Sequence, residues 1–155
     1  MNTNVSLVAL IFLLIAPTWA VALKIAKGVT LADVSPIYVS INDYASGGCW
    51  TNLKEVKTYA SDKIELSGGK LVKTLEEVTG KGIGFVIIVN AKRHSQLGVC
   101  FGDISVTTET FGTAPQFPEV YGLLTLSQKK FNFIDPVNFN QHVLDIVSKA
   151  IAEWR

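Results

Sequence analysis

Apolar and polar residues follow regular patterns along the chain, and these patterns predict most of the secondary structure. In Pro36–Tyr44 apolar residues occupy every second position, which is typical of a strand with one buried face. In Asn52–Leu66 they recur with helical spacing instead. Asn52 and Glu55 have the spacing of a capping box, and Gly68-Gly69 would end the helix. The patterns therefore predict a strand followed by an amphipathic helix.

The middle of the chain predicts further strands. Lys70–Gly80 is ambiguous because its apolar residues have helical spacing, but we favour a short strand at Lys70–Lys73, since α/β units commonly run from a helix into a strand. Phe85–Val89 is a continuous apolar run rich in β-branched residues, which predicts a central strand buried on both faces. Within Leu97–Thr110 the apolar residues change from odd positions, up to Phe101, to even positions, from Ile104 onward. A bulge near Gly102-Asp103 would keep all of them on one face of the strand.

The last third of the chain predicts a loop, a strand and a helix. Thr113–Pro118 has the composition of a loop, and Val120–Phe133 predicts a final strand or hairpin. Asp135 as N-cap and Pro136 at the first helical position predict a helix that continues to the C-terminus. Its apolar residues define one buried stripe: Phe139, Val143, Ile146, Val147, Ala150, Ile151 and Trp154.

The first twenty-two residues have the layout of a secretory signal peptide. Val5–Ala16 is an almost unbroken apolar run, and Ala20-Val21-Ala22 places small residues where signal peptidase reads them, so we expect cleavage before Leu23. Met1–Asn4 carries no Lys or Arg, and a retained membrane anchor is the alternative. We favour cleavage because the apolar run is barely long enough to span a bilayer. The interpretation predicts a secreted or bacterial periplasmic domain of residues 23–155, with no stable membrane insertion after cleavage.

Charge and composition argue against several classes of function. The chain has 14 Lys and Arg residues against 13 Asp and Glu, a net charge of +1, and no basic run exceeds two residues. A nucleic-acid surface needs clustered positive charge, so we expect no nucleic-acid partner. The two histidines show no metal-ligand spacing, and the glycine-rich stretch before Phe85 matches neither phosphate-binding pattern. We expect no metal and no cofactor.

Cys49 and Cys100 are the only two cysteines in the chain. In an exported protein we expect them to pair with each other. The bond would tie the start of the first helix to a strand, and its effect on the unfolded chain would stabilise the fold by about 4 kcal/mol. The sequence thus predicts an α+β fold in one domain: a mixed, largely antiparallel sheet of four to six strands, two amphipathic helices packed on it, and a single disulfide.

A catalytic role for Cys49 is the alternative to this pairing. Gly47-Gly48-Cys49-Trp50 resembles the stretch around the active-site cysteine of papain-like peptidases. The order of cysteine on a helix, His94 after a strand and Asp103 on the next strand is also similar to that of the NlpC/P60 cell-wall peptidases. The resemblance implies a cysteine hydrolase with Cys49 as nucleophile, His94 as base and Asp103 as the group that orients it.

We favour a non-enzymatic domain that binds a protein or a cell-envelope component. Binding would use an exposed sheet edge or the aromatic-bearing loop Thr113–Tyr121, where Phe117 and Tyr121 could supply rigid apolar contacts. The layout is loosely similar to small periplasmic α/β modules such as the N-terminal domain of TolB. That resemblance concerns the fold and implies little about function.

Overall fold

A computed structural model describes residues 28–78, 80–114 and 117–154. For residues 111, 113, 114 and 117–121 it describes the backbone only. The predicted signal peptide and its cleavage site lie outside the described residues. In this part of the chain, no helix is both long and apolar enough to cross a membrane. The elements are β1 (Ile37–Ala45), α1 (Leu53–Leu66), β2 (Leu71–Val72), a 3₁₀ turn (Glu76–Val78), β3 (Ile83–Arg93), β4 (Cys100–Ala114), β5 (Phe117–Asp135) and α2 (Asn140–Ala152).

The five described strands form one mixed sheet in the order β2-β1-β3-β4-β5. β2, β1 and β3 are parallel, because α1 carries the chain back between β1 and β2. β3, β4 and β5 are antiparallel neighbours joined by short connections. The predicted α+β fold, the short strand β2 and the two helices are confirmed.

The hydrophobic core lies between the sheet and the two helices, which contact each other on one face of the sheet. α1 buries Val56, Ala60 and Ile64, and every residue of the stripe predicted for α2 is buried. We call the covered side of the sheet the helix face. Its buried strand residues include Val39, Phe85, Ile87, Val89, Ile104 and Val106. The opposite side, which no described helix covers, is the open face.

The two ends of α1 differ in how well the sequence predicts them. At the C-terminal end Gly68 has φ 87°, and its N–H donates to the carbonyl of Glu65, so the predicted glycine stop is confirmed. At the N-terminal end the Asn52 side chain caps no backbone N–H. It instead accepts a hydrogen bond from the Trp50 indole at 2.7 Å and donates to the Glu55 carboxylate at 3.1 Å. The predicted capping box is therefore wrong.

β3 is the central strand, as predicted, but it is completely buried on one face only. Phe85, Ile87 and Val89 on the helix face have no exposed surface. Val86 and Ile88 point to the open face and are partly exposed. The prediction of burial on both faces is wrong, because both helices lie on the same side of the sheet.

β4 shows no bulge at Gly102-Asp103, so that prediction is also wrong. The β3–β4 register runs without a shift from Arg93 opposite Cys100 to Gly84 opposite Glu109. Because the strand is regular, Phe101 lies on the opposite face from Ile104 and Val106. It remains on the open face with 42 % of its surface exposed. The register shifts lie between β4 and β5, one of them at Thr108/Glu109.

The predicted loop Thr113–Pro118 is largely a hairpin. β4 continues to Ala114, and β5 begins at Phe117. The predicted loop is therefore wrong at both of its ends, and positions 115 and 116 lie outside the described residues. Long paired strands replace an irregular segment at this end of the sheet.

α2 begins later than the sequence predicts. Its first residue is Asn140, whereas the pattern of Asp135 and Pro136 predicts a start near residue 136. The Asp135 carboxylate accepts hydrogen bonds from the N–H groups of Val137 and Asn138 at 2.7 and 2.9 Å. Asp135 thus stabilises a turn between β5 and α2 and does not cap the helix, so the predicted N-cap is wrong.

Candidate functional site

The Cys49–Cys100 disulfide lies at the end of the sheet where both helices begin. The two sulfur atoms are 2.01 Å apart, and both cysteines are completely buried. Cys49 lies in the turn before α1, and Cys100 is the first residue of β4. The expected pairing is confirmed, and the bond joins the start of α1 to the antiparallel part of the sheet.

Arg93, at the end of β3, connects three segments beside the disulfide. Its Nε donates to the Gly47 carbonyl at 2.8 Å, and its Nη2 donates to the Val137 carbonyl at 2.8 Å. Its Nη1 donates to the Gly98 carbonyl. A Cβ atom at Gly47, where φ is 65°, would lie 2.8 Å from the Arg93 Cβ. The sequence does not single out Arg93, because one arginine after a buried strand matches no motif.

The structure does not bring Cys49, His94 and Asp103 together. The Cys49 sulfur is bonded to Cys100 and carries no thiol. His94 Nδ1 accepts hydrogen bonds from the backbone N–H groups of its own turn, at Gln96 and Leu97. Asp103 points to the open face, whereas Cys100 points to the helix face, since they are three residues apart in one regular strand. Asp103 accepts a hydrogen bond from Asn90 and pairs with Lys130.

Asp135 and His142 form a second polar pair near this end. His142 Nε2 lies 3.1 Å from Asp135 Oδ2, and its ring stacks on Phe133 with 4.4 Å between centroids. Hydrogen bonds hold the pKa of the Asp135 carboxyl below its usual value. The bond from the backbone N–H of Val137 has the largest effect, and the His142 side chain has a smaller one. These contacts fix the connection between β5 and α2, so we interpret the pair as structural.

Four exposed apolar residues lie in the segments that meet beside the disulfide. Phe101 and Ile134 are directly paired across β4 and β5 on the open face. Leu97 lies in the turn before β4, and Val137 follows β5. Ile134 is 77 % exposed, Leu97 70 % and Val137 65 %. We call these four residues the apolar corner. Phe101 and Ile134 are adjacent, and neighbouring exposed apolar side chains often mark a binding surface.

β5 is the edge strand of the described sheet and reaches the apolar corner at its C-terminal end. It pairs with β4 on one side, and no described strand pairs with its other side. Alternate residues of an edge strand direct N–H and C=O groups away from the sheet, so an added strand can pair there. The backbone of Phe117 and Tyr121 lies in β5, but their side chains lie outside the described residues.

The open face carries a small concave site at the opposite end from the apolar corner. Tyr38, Gly84 and Glu109 form one row across β1, β3 and β4. The cavity volume is about 190 Å³. We call it the cup, and the described residues that line it are Tyr38, Ser40, Asn42, Leu75, Gly84, Val86, Glu109 and Leu123. Since Gly84 has no side chain, the space between Tyr38 and Glu109 stays open.

Two polar side chains, Glu109 in the cup and Thr107 beside it, are affected by burial. Burial raises the pKa of the Glu109 carboxyl, and no described hydrogen bond or charge offsets that effect. Thr107 is paired with Val86 in the next row of the open face. It is 3 % exposed, and its hydroxyl has no hydrogen-bond partner among the described residues. The sequence pattern singles out neither residue, because isolated Thr and Glu residues in a strand are typical of a solvent-exposed face.

Comparison of the chain with protein-family models, with curated proteins and with solved structures found no match. Within the described ranges, no three His, Cys, Asp or Glu side chains are grouped so that they could hold a metal ion.

Proposed function

We propose that this chain is an exported, non-enzymatic domain that binds a protein partner. The observation that carries the proposal is the continuity of the apolar corner with the free edge of β5. An extended partner segment could pair with the β5 backbone and place apolar side chains against Ile134 and Phe101. Backbone pairing would supply affinity, and the corner would supply selectivity.

The charges along β5 fit a partner that binds locally at this corner. Lys129 pairs with Glu153, which directly follows α2, and Lys130 pairs with Asp103 of β4. From Phe131 to Ile134 the strand carries no charged residue. Natural proteins often place charges on free edges to prevent unwanted pairing, so an uncharged stretch beside exposed apolar groups favours association.

Export is supported by the predicted signal peptide and by the buried disulfide, since disulfides persist in oxidising compartments. Intact-mass analysis of the protein from its own cells tests this part. We expect the mass of a chain that begins at Leu23, and we expect no alkylation of either cysteine without prior reduction. A retained leader would contradict cleavage, and a reactive thiol at Cys49 would revive the cysteine hydrolase.

Partner binding is tested by affinity capture with the tagged full chain from the cells that make it. Ile134→Lys adds a charge in the apolar corner, and Leu66→Lys is the matched control because Leu66 is equally exposed, at 80 %, at the far end of α1. We expect wild type and Leu66→Lys to retain the same protein and Ile134→Lys to lose it. Equal capture by all three would contradict the proposal. A second copy of this chain as partner would appear as a dimer in sedimentation.

A further inference from the structure

The cup presents a carboxylate without a counter-charge. Among its eight lining residues, Tyr38 and Glu109 are the only titratable ones. None of the described lining residues is Lys or Arg, and burial raises the pKa of the Glu109 carboxyl above its usual value. A carboxylate that is partly removed from water and lacks a cation is destabilised. A cationic group placed in the cup would remove that penalty.

The remaining walls suit an aliphatic chain. Leu75, Val86 and Leu123 supply apolar surface from the segment before the 3₁₀ turn, from β3 and from β5. Ser40 and Asn42 supply hydrogen-bonding groups from β1. An amphiphilic ligand with one charged end would therefore find a partner for each of its parts.

The size of the cup limits what can enter. Its volume of about 190 Å³ is close to that of engineered cavities of about 150 Å³ that hold benzene. It can therefore take on the order of six to eight non-hydrogen atoms by that comparison. A short alkyl chain ending in a nitrogen has this size, whereas a nucleotide or an oligosaccharide does not.

We infer that the cup binds a primary alkylammonium group, with the Glu109 carboxylate as counter-charge and Leu75, Val86 and Leu123 in contact with the alkyl chain. The group could belong to a free amine or to a lysine side chain of a polypeptide, because both present the same chemistry. The site is separate from the apolar corner. The two lie at opposite ends of the open face: Phe101 and Glu109 are eight residues apart along β4, which corresponds to about 26 Å of strand.

Titration of the purified protein with n-hexylamine at pH 7, followed by amide NMR shifts, tests the inference. We expect saturable shifts at Gly84, Val86 and Glu109, and no comparable shifts with 1-hexanol or hexanoate, which share the chain but not the charge. Glu109→Gln should weaken hexylamine binding about tenfold, as expected for loss of one charged hydrogen bond. Glu65→Gln is the matched control, because Glu65 is an exposed carboxylate on α1.

A second variant reduces the space without changing the charge. A Cβ at Gly84 would lie 3.8 Å from Val86 Cγ2 and 3.9 Å from the Glu109 carbonyl oxygen, which are ordinary contacts. Gly84→Ala should therefore fold normally and weaken hexylamine binding several-fold. Equal binding of hexylamine and hexanol, or unchanged binding in Glu109→Gln, would overturn the inference.

The source of the ammonium group is distinguished by a second probe. Nα-acetyl-lysine N-methylamide carries the same ammonium on a peptide-like unit. Tighter binding than hexylamine would indicate a lysine side chain, and weaker binding would indicate a free amine; absence of binding by both would refute the site. Ile134→Lys should bind hexylamine like wild type, so failure of the protein-partner proposal would leave this test intact.

Discussion

The two faces of the sheet bury different kinds of side chain, although their residues alternate along the same strands. On the helix face β3 places Phe85, Ile87 and Val89 in a dry core. On the open face β4 places Ser105 and Thr107, which are almost completely buried although no described helix covers them. The helix face is determined by the burial of apolar surface. The open face includes a buried hydroxyl, that of Thr107, which has no described hydrogen-bond partner and therefore lowers stability.

Removal of the disulfide has the largest expected effect on the free energy of unfolding, because the bond stabilises the layer on the helix face. The double variant Cys49→Ala, Cys100→Ala should lose about 4 kcal/mol of unfolding free energy, since the unfolded chain gains the entropy of an open loop. Urea denaturation of both proteins measures this difference. An unchanged denaturation midpoint would show that the helix layer is held by packing alone.

Ile87 and Ile88 compare the two faces directly, because they are adjacent and chemically identical. Ile87 is completely buried on the helix face, and Ile88 is partly exposed on the open face. Ile87→Ala should cost about 3 kcal/mol and Ile88→Ala about 1 kcal/mol, as the first leaves a cavity in the core. Equal losses in thermal denaturation would mean that something also covers the open face.

Thr107 and Thr108 provide the same comparison for buried hydroxyl groups. Thr108 Oγ1 on the helix face lies 2.7 Å from Ser127 Oγ, whereas Thr107 has no described partner. Thr108→Val should cost about 1 kcal/mol, and Thr107→Val should gain about 1 kcal/mol by removing an unsatisfied group. Chemical denaturation checks both signs. A loss in Thr107→Val would show that its hydroxyl is hydrogen-bonded in solution.

Substitution of Glu109 has the smallest expected effect on stability, and this effect depends most clearly on pH. Its pKa is raised in the folded protein, so its contribution to stability is greatest at low pH and is lost as the pH rises through that value. Glu109→Gln should therefore have a higher Tm than wild type at pH 7, and the two should converge near pH 4. Parallel pH profiles would contradict an uncompensated carboxylate in the cup.

The sequence predicts the helix face well because burial imposes a period that can be read directly. The stripe of α2 from Phe139 to Trp154 is correct in every residue, and the alternation in β1 defines its buried side. The two cysteines pair with each other, as predicted. These features depend on residue type and spacing within one element.

The open face and the connections depend on contacts between distant segments, which spacing does not reveal. Phe101 violates its strand's apolar parity, and the resulting bulge prediction fails because an exposed aromatic is tolerated at the corner. Asp135 has the signature of an N-cap but stabilises a preceding turn. The cup needs Tyr38, Gly84 and Glu109 in one row, and only the register of three strands brings them together.

Arg93 has a consequence for recognising related chains. Its three nitrogen atoms are spread over a rigid plane and reach carbonyls in three separate segments, whereas the single ammonium of a lysine cannot span those positions. Any side chain at Gly47 would collide with this arrangement. A relative that shares this end of the fold should therefore carry glycine, cysteine, arginine and cysteine together, at positions equivalent to 47, 49, 93 and 100. A chain with lysine in place of the arginine would have to close these loops in another way.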